Sequence, residues 1–482
     1  MKKAGFMKSL TSQVALNTIV QSVSKASVVG MSIITISLLT RYLGQEGFGE
    51  YTTVMTYLGF FGIVVDMGVY LIVVRDLAKE ETDARDLIGN VLGLRLLSGI
   101  VILGIAPVIA IFLFPYSMVV NIAIAIGAIG FLFIGLNQII SSVFHINLVM
   151  WKLMVGEVLG RFSILVLTYF FIYQQAGLWE FIAANAFGNV VLFFISYMFA
   201  KRYVKLFPKF DFAKWKEILK ETLPLAAVVL LTRVYFNIDT IFLSIFRSQT
   251  EVGIYGLPYK ILDILISFPA IFAGLVFPSL ARAGMEKFDD LKRIYQKAFD
   301  FLVMMALPIL GGLIMLARPI IELLGGSEFG DSIIILQLLS VAVVFIFFST
   351  LSNNLVIAVQ LQKKLMIMAL VSAVLNVSLN IWLIPKYSYF AAAGVTILTE
   401  FTVMVISAWF VWKYIKILPN FRILPKAVLS VLAMVITLYF VREWNVFMAT
   451  AIGGVVYLGV LYFSGGFSRE MIMNVLGRES QK

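Results

Sequence analysis

Runs of twenty or more apolar residues follow one another along nearly the whole chain, separated only by short polar stretches. A run of about 20 apolar residues is long enough, as a helix, to cross the hydrocarbon core of a bilayer. Apolar residues make up 61% of the chain and charged residues 13%, against roughly 45–50% and about 25% in soluble proteins. No window reads as a soluble domain, so the 482 residues do not divide into two or three globular domains. The fold class this implies is an all-α polytopic membrane protein.

Composition removes several chemistries. There is no cysteine, which excludes disulfides, cysteine zinc sites and thiol catalysis. The one histidine, His145, rules out a histidine metal cluster and is expected at a loop or helix end. No catalytic residue, metal or cofactor is expected. A net charge of +11 would point to nucleic acid in a soluble protein. Here the basic residues lie mostly between apolar runs, so the charge reads as topology and no nucleic-acid partner is expected. Lys2, Lys3 and Lys8 precede an apolar segment that reaches Leu43 and contains Asn17, Gln21 and Lys25. It is too long and too polar for a signal peptide, and reads as the first transmembrane helix.

Fourteen helices are predicted, at roughly 12–42, 51–74, 87–115, 118–144, 152–174, 178–201, 222–246, 253–281, 298–324, 331–360, 364–384, 387–413, 424–441 and 445–465. With both termini in the cytoplasm, about 28 of the 38 Lys and Arg fall on inner segments and about five on outer ones. That is the asymmetry expected of an inner-membrane protein, and shifting the count by one helix would scramble it. Residues 211–222 place Phe212, Trp215, Ile218 and Leu219 on one face, predicting an amphipathic helix on the inner leaflet. Trp179, Trp382, Trp412 and Trp444 fall at helix ends, as interfacial anchors do.

The halves echo each other. RYVKLFPKF at 202–210 matches KYIKILPNF at 413–421, and Gly49-x-Tyr51 matches Gly253-x-Tyr255, at spacings of 211 and 204 residues. Six helices per half is an even number, so the repeats run parallel across the membrane, as in transporters that hold substrate between two lobes. The expected organisation is an N-lobe at 1–203, a cytoplasmic amphipathic linker at 204–222 and a C-lobe at 223–416. Two further helices and a cytoplasmic tail occupy 417–482.

Five basic residues fall inside predicted spans: Lys25, Arg95, Arg161, Arg233 and Lys260. An ionisable residue at such depth is costly and usually faces a polar cavity or a partner. Four of them sit two or three turns from the cytoplasmic ends, which predicts a cationic cavity and therefore an anionic substrate, a phosphate or diphosphate best of all. Local pairing is the competing reading for Arg161 with Glu157 and for Lys260 with Asp263. Among the acids within spans, Asp239 is the first choice for coupling to Na⁺ or H⁺, with Asp66 and Glu400 behind it. Pro269, Pro278 and Pro308 mark bends, either hinges or static kinks.

RYLGQEGFGEY (41–51), DMGVYLIVVRDLA (66–78), IDTIFLSIFRSQTEVGIYGLPYKI (238–261) and LNVSLNIWLIPKYSYFAAAGVTILTE (375–400) carry a resemblance over the whole length. The chain resembles the polysaccharide-transport (Wzx-type) branch of the multidrug/oligosaccharidyl-lipid/polysaccharide exporter superfamily. The resemblance implies two six-helix lobes around a V-shaped cavity, plus two extra helices. It implies a flippase that exports polyprenyl-diphosphate-linked oligosaccharide for O-antigen, capsule or teichoic-type glycans, by alternating access driven by an ion gradient or membrane potential. Polysaccharide polymerase machinery is the implied protein partner. Lys25 and Lys260 look similar to two cavity cations of the related lipid II flippase, while no basic residue lies inside the second helix here. Asn376 and Asn380 share a helix face, placed either to bind sugar hydroxyls or to hydrogen-bond between helices. The rival readings are a cation-coupled multidrug exporter and a membrane glycosyltransferase or ligase. The second would need carboxylates on a sizeable outer loop, and no D-x-D or P-loop pattern occurs.

Overall fold

The computed structural model describes residues 2–66, 68–77, 83–286 and 288–466. Lys79, Lys287 and the tail beyond 466 lie outside the described residues. In hydrocarbon every backbone N–H and C=O must be paired within the chain, and the helix does this locally. In chain order the helices are α1 (Lys2–Asp66), α2 (Val69–Leu77), α3 (Ala84–Leu113), α4 (Met118–Ile146), α5 (Trp151–Tyr173), α6 (Leu178–Ala200) and α7 (Phe212–Phe246). They continue as α8 (Gln249–Glu286), α9 (Phe288–Gly325), α10 (Ser332–Ala358), α11 (Gln362–Phe410), α12 (Ile423–Val441) and α13 (Val446–Phe463).

Among the described residues, 12 helical segments are long and apolar enough to cross a membrane. Two of them, in α1 and at α11, run 44 and 54 residues, when about 20 suffice. Each is folded double. α1 turns at Gly44 (φ 66°, ψ −171°) and α11 at Ser388 (φ 53°, ψ −135°). Glycine adopts a positive φ without a Cβ clash, whereas Ser388 carries strain. Counting each doubled segment twice recovers the fourteen crossings expected. Polar caps mark several helix starts: Asp83 on α3, Ser117 on α4, Asp211 on α7 and Asn445 on α13 each accept from a backbone N–H one turn in.

Packing separates residues 1–253 from residues 254–482. In the first unit α6 lies against α4 and α5, α3 against α4, and α1 against α5 and α7. Ile88, Val91, Ile139, Ile140, Val143 and Phe144 are fully buried there. The opposite side of α3 leaves Ile105, Val108, Ile111 and Phe112 exposed, which in a spanning helix is a lipid face. In the second unit α9 lies against α10 and α12, α10 against α11, and α12 against α13. The last helix is tied to α9 by the Tyr457 hydroxyl, which donates to the Met304 carbonyl at 2.8 Å.

The repeat seen in the sequence has structural content. In the first unit Tyr203 takes the Lys152 ammonium over its ring at 4.5 Å; in the second, Tyr414 takes Lys364 at 4.9 Å. Likewise the Tyr51 hydroxyl meets Asn185 at 3.5 Å, and the Tyr255 hydroxyl meets Thr396 at 3.2 Å. Tyr51 and Tyr255 are 204 residues apart, Tyr203 and Tyr414 and likewise Asn185 and Thr396 are 211 apart, and the two lysines are 212 apart.

One expectation is corrected. Residues 212–222 are not a separate helix on the leaflet but the opening turns of α7, continuous to Phe246. Trp215 is buried, its indole N–H donating to the Asn90 carbonyl at 2.9 Å. The amide of Lys209 donates to the Gly89 carbonyl at 2.8 Å, and Lys209 and Lys214 both pair with Asp86. The start of α7 is therefore tied to α3 through Lys214, and to α2 through Glu221 and Arg75. The Asp86 carboxylate holds the Lys214 ammonium above its ordinary value of 10.5. That pairing is present at neutral pH; it is lost as pH rises through the raised lysine value, or as pH falls through the lowered value of Asp86.

The two repeat glycines meet within the first unit. A Cβ at Gly49 would stand 1.7 Å from the Gln249 carbonyl oxygen, and one at Gly253 would stand 2.0 Å from that of Gln45. Gly49→Ala and Gly253→Ala are each expected to destabilise the purified protein by about 1–3 kcal/mol through overpacking. Because both disturb one crossing, the double variant should fall short of the sum. Thermal melting in detergent checks this; unchanged melting of both single variants would mean that the helices do not approach so closely.

Candidate functional site

The kink at Gly44 returns the chain so that Lys25 precedes the bend and Tyr51 follows it, both on α1. α1 packs on α5 and α6, and these helices supply the rest of a polar cluster inside an otherwise apolar unit. α5 contributes Glu157 and Arg161, one turn apart. α6 contributes Asn185 and Asn189, also one turn apart. The Asn189 amide donates to the Asn185 side-chain oxygen at 3.0 Å, and Asn185 donates to the Tyr51 hydroxyl. Arg161 acts electrostatically on the Tyr51 hydroxyl, and Lys25 and Arg161 both act on Glu157.

Lys25 and Arg161 are exposed, and neither forms a hydrogen bond or contact-distance ion pair with a described residue. Two cations share one carboxylate, so the cluster keeps a positive excess. Arg233, on α7 of the same unit, is also exposed, without a hydrogen bond or ion pair to any described residue. An exposed, unsatisfied guanidinium at membrane depth has five donors to offer an anion.

The other basic residue expected in this set behaves differently. Arg95 on α3 is 2% exposed. Its guanidinium pairs with Asp66 and donates to the Val65 carbonyl. Arg95 and Asp66 thus neutralise each other and bind α3 to the end of α1, which removes Arg95 from the open cations and occupies Asp66.

In the second unit, Lys260 lies 3.7 Å from Asp263 on the same helix. Asn376 and Asn380 are fully buried. Asn376 donates to Thr399 at 3.1 Å, and Asn380 donates to Asn376 at 2.9 Å. Of the two roles open to them, they fill hydrogen bonding between the arms of α11. Asp239, in the first unit, is buried and accepts from the Thr240 amide at 2.8 Å. Glu400 is 2% exposed, and no described residue donates a hydrogen bond to it. No group of three or more metal-ligating side chains occurs among the described residues.

Asn185 and Asn189 were not singled out in the sequence, and Tyr51 stood out only as part of the internal repeat. Two asparagines one turn apart in a helix as apolar as α6 were the available signal. The repeat adds a second: shifted by 211 residues, Asn185 and Asn189 fall on Thr396 and Glu400.

The family model of polysaccharide biosynthesis proteins matches residues 14–283. The chain belongs to that family. A second family model, MatE, matches residues 224–382. Among family relatives, AglR of Haloferax volcanii, named as a probable flippase, is 24% identical over 214 residues, which cover 44% of this chain and 45% of that protein. The match thus spans less than half of that relative. A Shigella flexneri protein named for O-antigen transport is 23% identical over 387 residues, covering 75% of this chain and 89% of that one. The fold is that of the lipid II flippase MurJ in an inward closed conformation. That structure superimposes with a TM-score of 0.77 at 17% identity, over 95% of this chain and all of that one.

Arg95→Gln is expected to destabilise the protein by about 3–5 kcal/mol, since it strands a carboxylate against the membrane core. Arg95→Met with Asp66→Leu should recover much of that loss. Denaturation of the purified variants checks both; an Arg95→Gln variant as stable as the wild type would refute the structural pairing.

Proposed function

We propose that the protein is a flippase, not an enzyme, that moves polyprenyl-diphosphate-linked oligosaccharide from the inner to the outer leaflet of the cytoplasmic membrane. The observation that carries this reading is the open positive charge at membrane depth: Lys25 and Arg161 lie in the field of Glu157 and close no ion pair with a described residue, and Arg233 has no described partner. A diphosphate offers several acceptors to several donors at once, and guanidinium forks suit it better than point charges alone. Family membership and the names of the two relatives support the substrate class. In this reading Tyr51, Asn185 and Asn189, buried and bonded to one another, hold α1 and α6 together beside the cations that take the headgroup. Lys260 is a secondary contact, already engaged with Asp263.

The basic residues of the intervening loops support a topology with both termini in the cytoplasm. Movement proceeds by alternating access, and the machinery that polymerises the glycan is the protein partner this implies. For ion coupling the choice moves from Asp239 to Glu400. Asp66 is held by Arg95 and Asp239 accepts a backbone hydrogen bond, whereas Glu400 has no described donor. A cation-exporting role fits the net positive cluster poorly, because it would repel such a cargo.

Reconstitution in liposomes with a fluorescent polyprenyl-diphosphate oligosaccharide tests the reading. Lys25→Ala, Arg161→Ala and Arg233→Ala should each slow transbilayer movement about tenfold or more, the effect of losing one charge-assisted hydrogen bond, with melting unchanged. Wild-type rates in all three would dismiss the cationic site. Glu400→Gln should remove the dependence of transport on an imposed pH or Na⁺ gradient while headgroup binding persists; a retained gradient dependence would exclude Glu400 as the coupling group.

A further inference from the structure

A cavity of about 310 Å³ lies where α8 ends and α9 begins, in the second unit. Pro278, Ser279 and Arg282 of α8 line it, with Asp290, Arg293 and Ile294 of α9. Arg282 is exposed and forms no hydrogen bond or ion pair with a described residue. Arg293 donates one N–H to Asp290 at 2.9 Å and keeps others free, since a guanidinium has five. Two guanidiniums against one carboxylate leave the cavity with one net positive charge.

The helix leading to it is apolar on the matching face. Phe268, Ile271 and Leu275 are 52%, 48% and 74% exposed. Spacings of three and four residues continue this stripe through Pro278 to Arg282. At 1.5 Å per residue the stripe from Phe268 to Arg282 is about 21 Å long, somewhat more than half of a hydrocarbon core of about 30 Å. An apolar track that ends in paired arginines beside a hydroxyl has the form of a lipid: chain along the helix, phosphate at its end.

We propose that this cavity binds the headgroup of an anionic phospholipid, with Arg282 and Arg293 on its phosphodiester and an acyl chain along Phe268, Ile271 and Leu275. The topology proposed above puts it in the inner leaflet, where basic pockets between helices take such headgroups. A phosphodiester carries a single negative charge and balances the single net charge of the cavity. A diphosphate would leave negative charge beside Asp290. The site is thus separate from the cluster assigned to the transported lipid, and its occupancy does not depend on that assignment.

Native mass spectrometry of the full-length protein, released from micelles doped with phosphatidylglycerol or phosphatidylcholine, reads the occupancy directly. The wild type should retain phosphatidylglycerol about tenfold better than phosphatidylcholine, and Arg282→Gln with Arg293→Gln should remove that preference. The double lysine variant should restore part of it, because charge returns without the fork. Both side chains are exposed, so melting should be unchanged in each variant. Equal retention of the two lipids by the wild type, or full retention by the double glutamine variant, would overturn the proposal. So would displacement by millimolar inorganic phosphate, which would make this a site for the free ion. Displacement by a short-chain polyprenyl diphosphate at lower concentration than phosphatidylglycerol would make it a station for the transported lipid instead, and would also overturn it.

Discussion

A charge inside hydrocarbon must be paired, hydrated or able to reach the headgroups, and this constraint sorts the five basic side chains within the spans. Arg95 meets it by pairing, at 2% exposure, with Asp66. Lys260 meets it loosely, 3.7 Å from Asp263. Lys25 and Arg161 share the field of Glu157 without closing on it, and Arg233 has no described partner. The same arithmetic that makes Arg95 structural makes the other three available. An available cation at this depth requires water or an anionic ligand in the folded protein.

The duplicated architecture supplies a second layer of organisation. Each half fixes its second and sixth helices by a tyrosine hydroxyl, on Asn185 in one and on Thr396 in the other. Each also seats a lysine on the tyrosine that follows the sixth helix. Divergence occurs one turn further along: Asn189 completes an amide pair with Asn185, while the corresponding Glu400 is a buried carboxyl. Duplication thus conserves the packing contacts and leaves the chemistry of the two halves free to differ. Headgroup recognition and ion coupling are accordingly assigned to different residues of one repeated frame.

Much of this was legible in the sequence because a bilayer leaves so few options. Apolar runs must be helices, and their number follows from length. The repeat was visible in RYVKLFPKF and KYIKILPNF because tyrosines and lysines at helix ends do a recurrent packing task. The doubled helices were less visible as such, since Gly44 and Ser388 interrupt the backbone without interrupting the apolar pattern. Three features needed coordinates. The Arg95–Asp66 pair joins residues 29 positions apart, and no local rule anticipates it. The segment at 212–222 has the pattern of a surface helix, yet Trp215 is spent on Asn90 and Lys214 on Asp86. Asn376 and Asn380 carry the same amides whether they face sugar or a neighbouring helix, and only burial decides that they face Thr399 and each other.

Open cations at membrane depth are, in the function proposed for this protein, the seat of a lipid-linked diphosphate. Equilibrium binding to the purified wild-type protein tests it most directly, using short-chain polyprenyl diphosphate, the corresponding monophosphate, and a hydrophobic cation of similar size. Binding should be tightest for the diphosphate, weaker for the monophosphate and slight for the cation, with a marked loss of affinity as salt rises. Preference for the cation, or equal binding of all three without salt dependence, would contradict it.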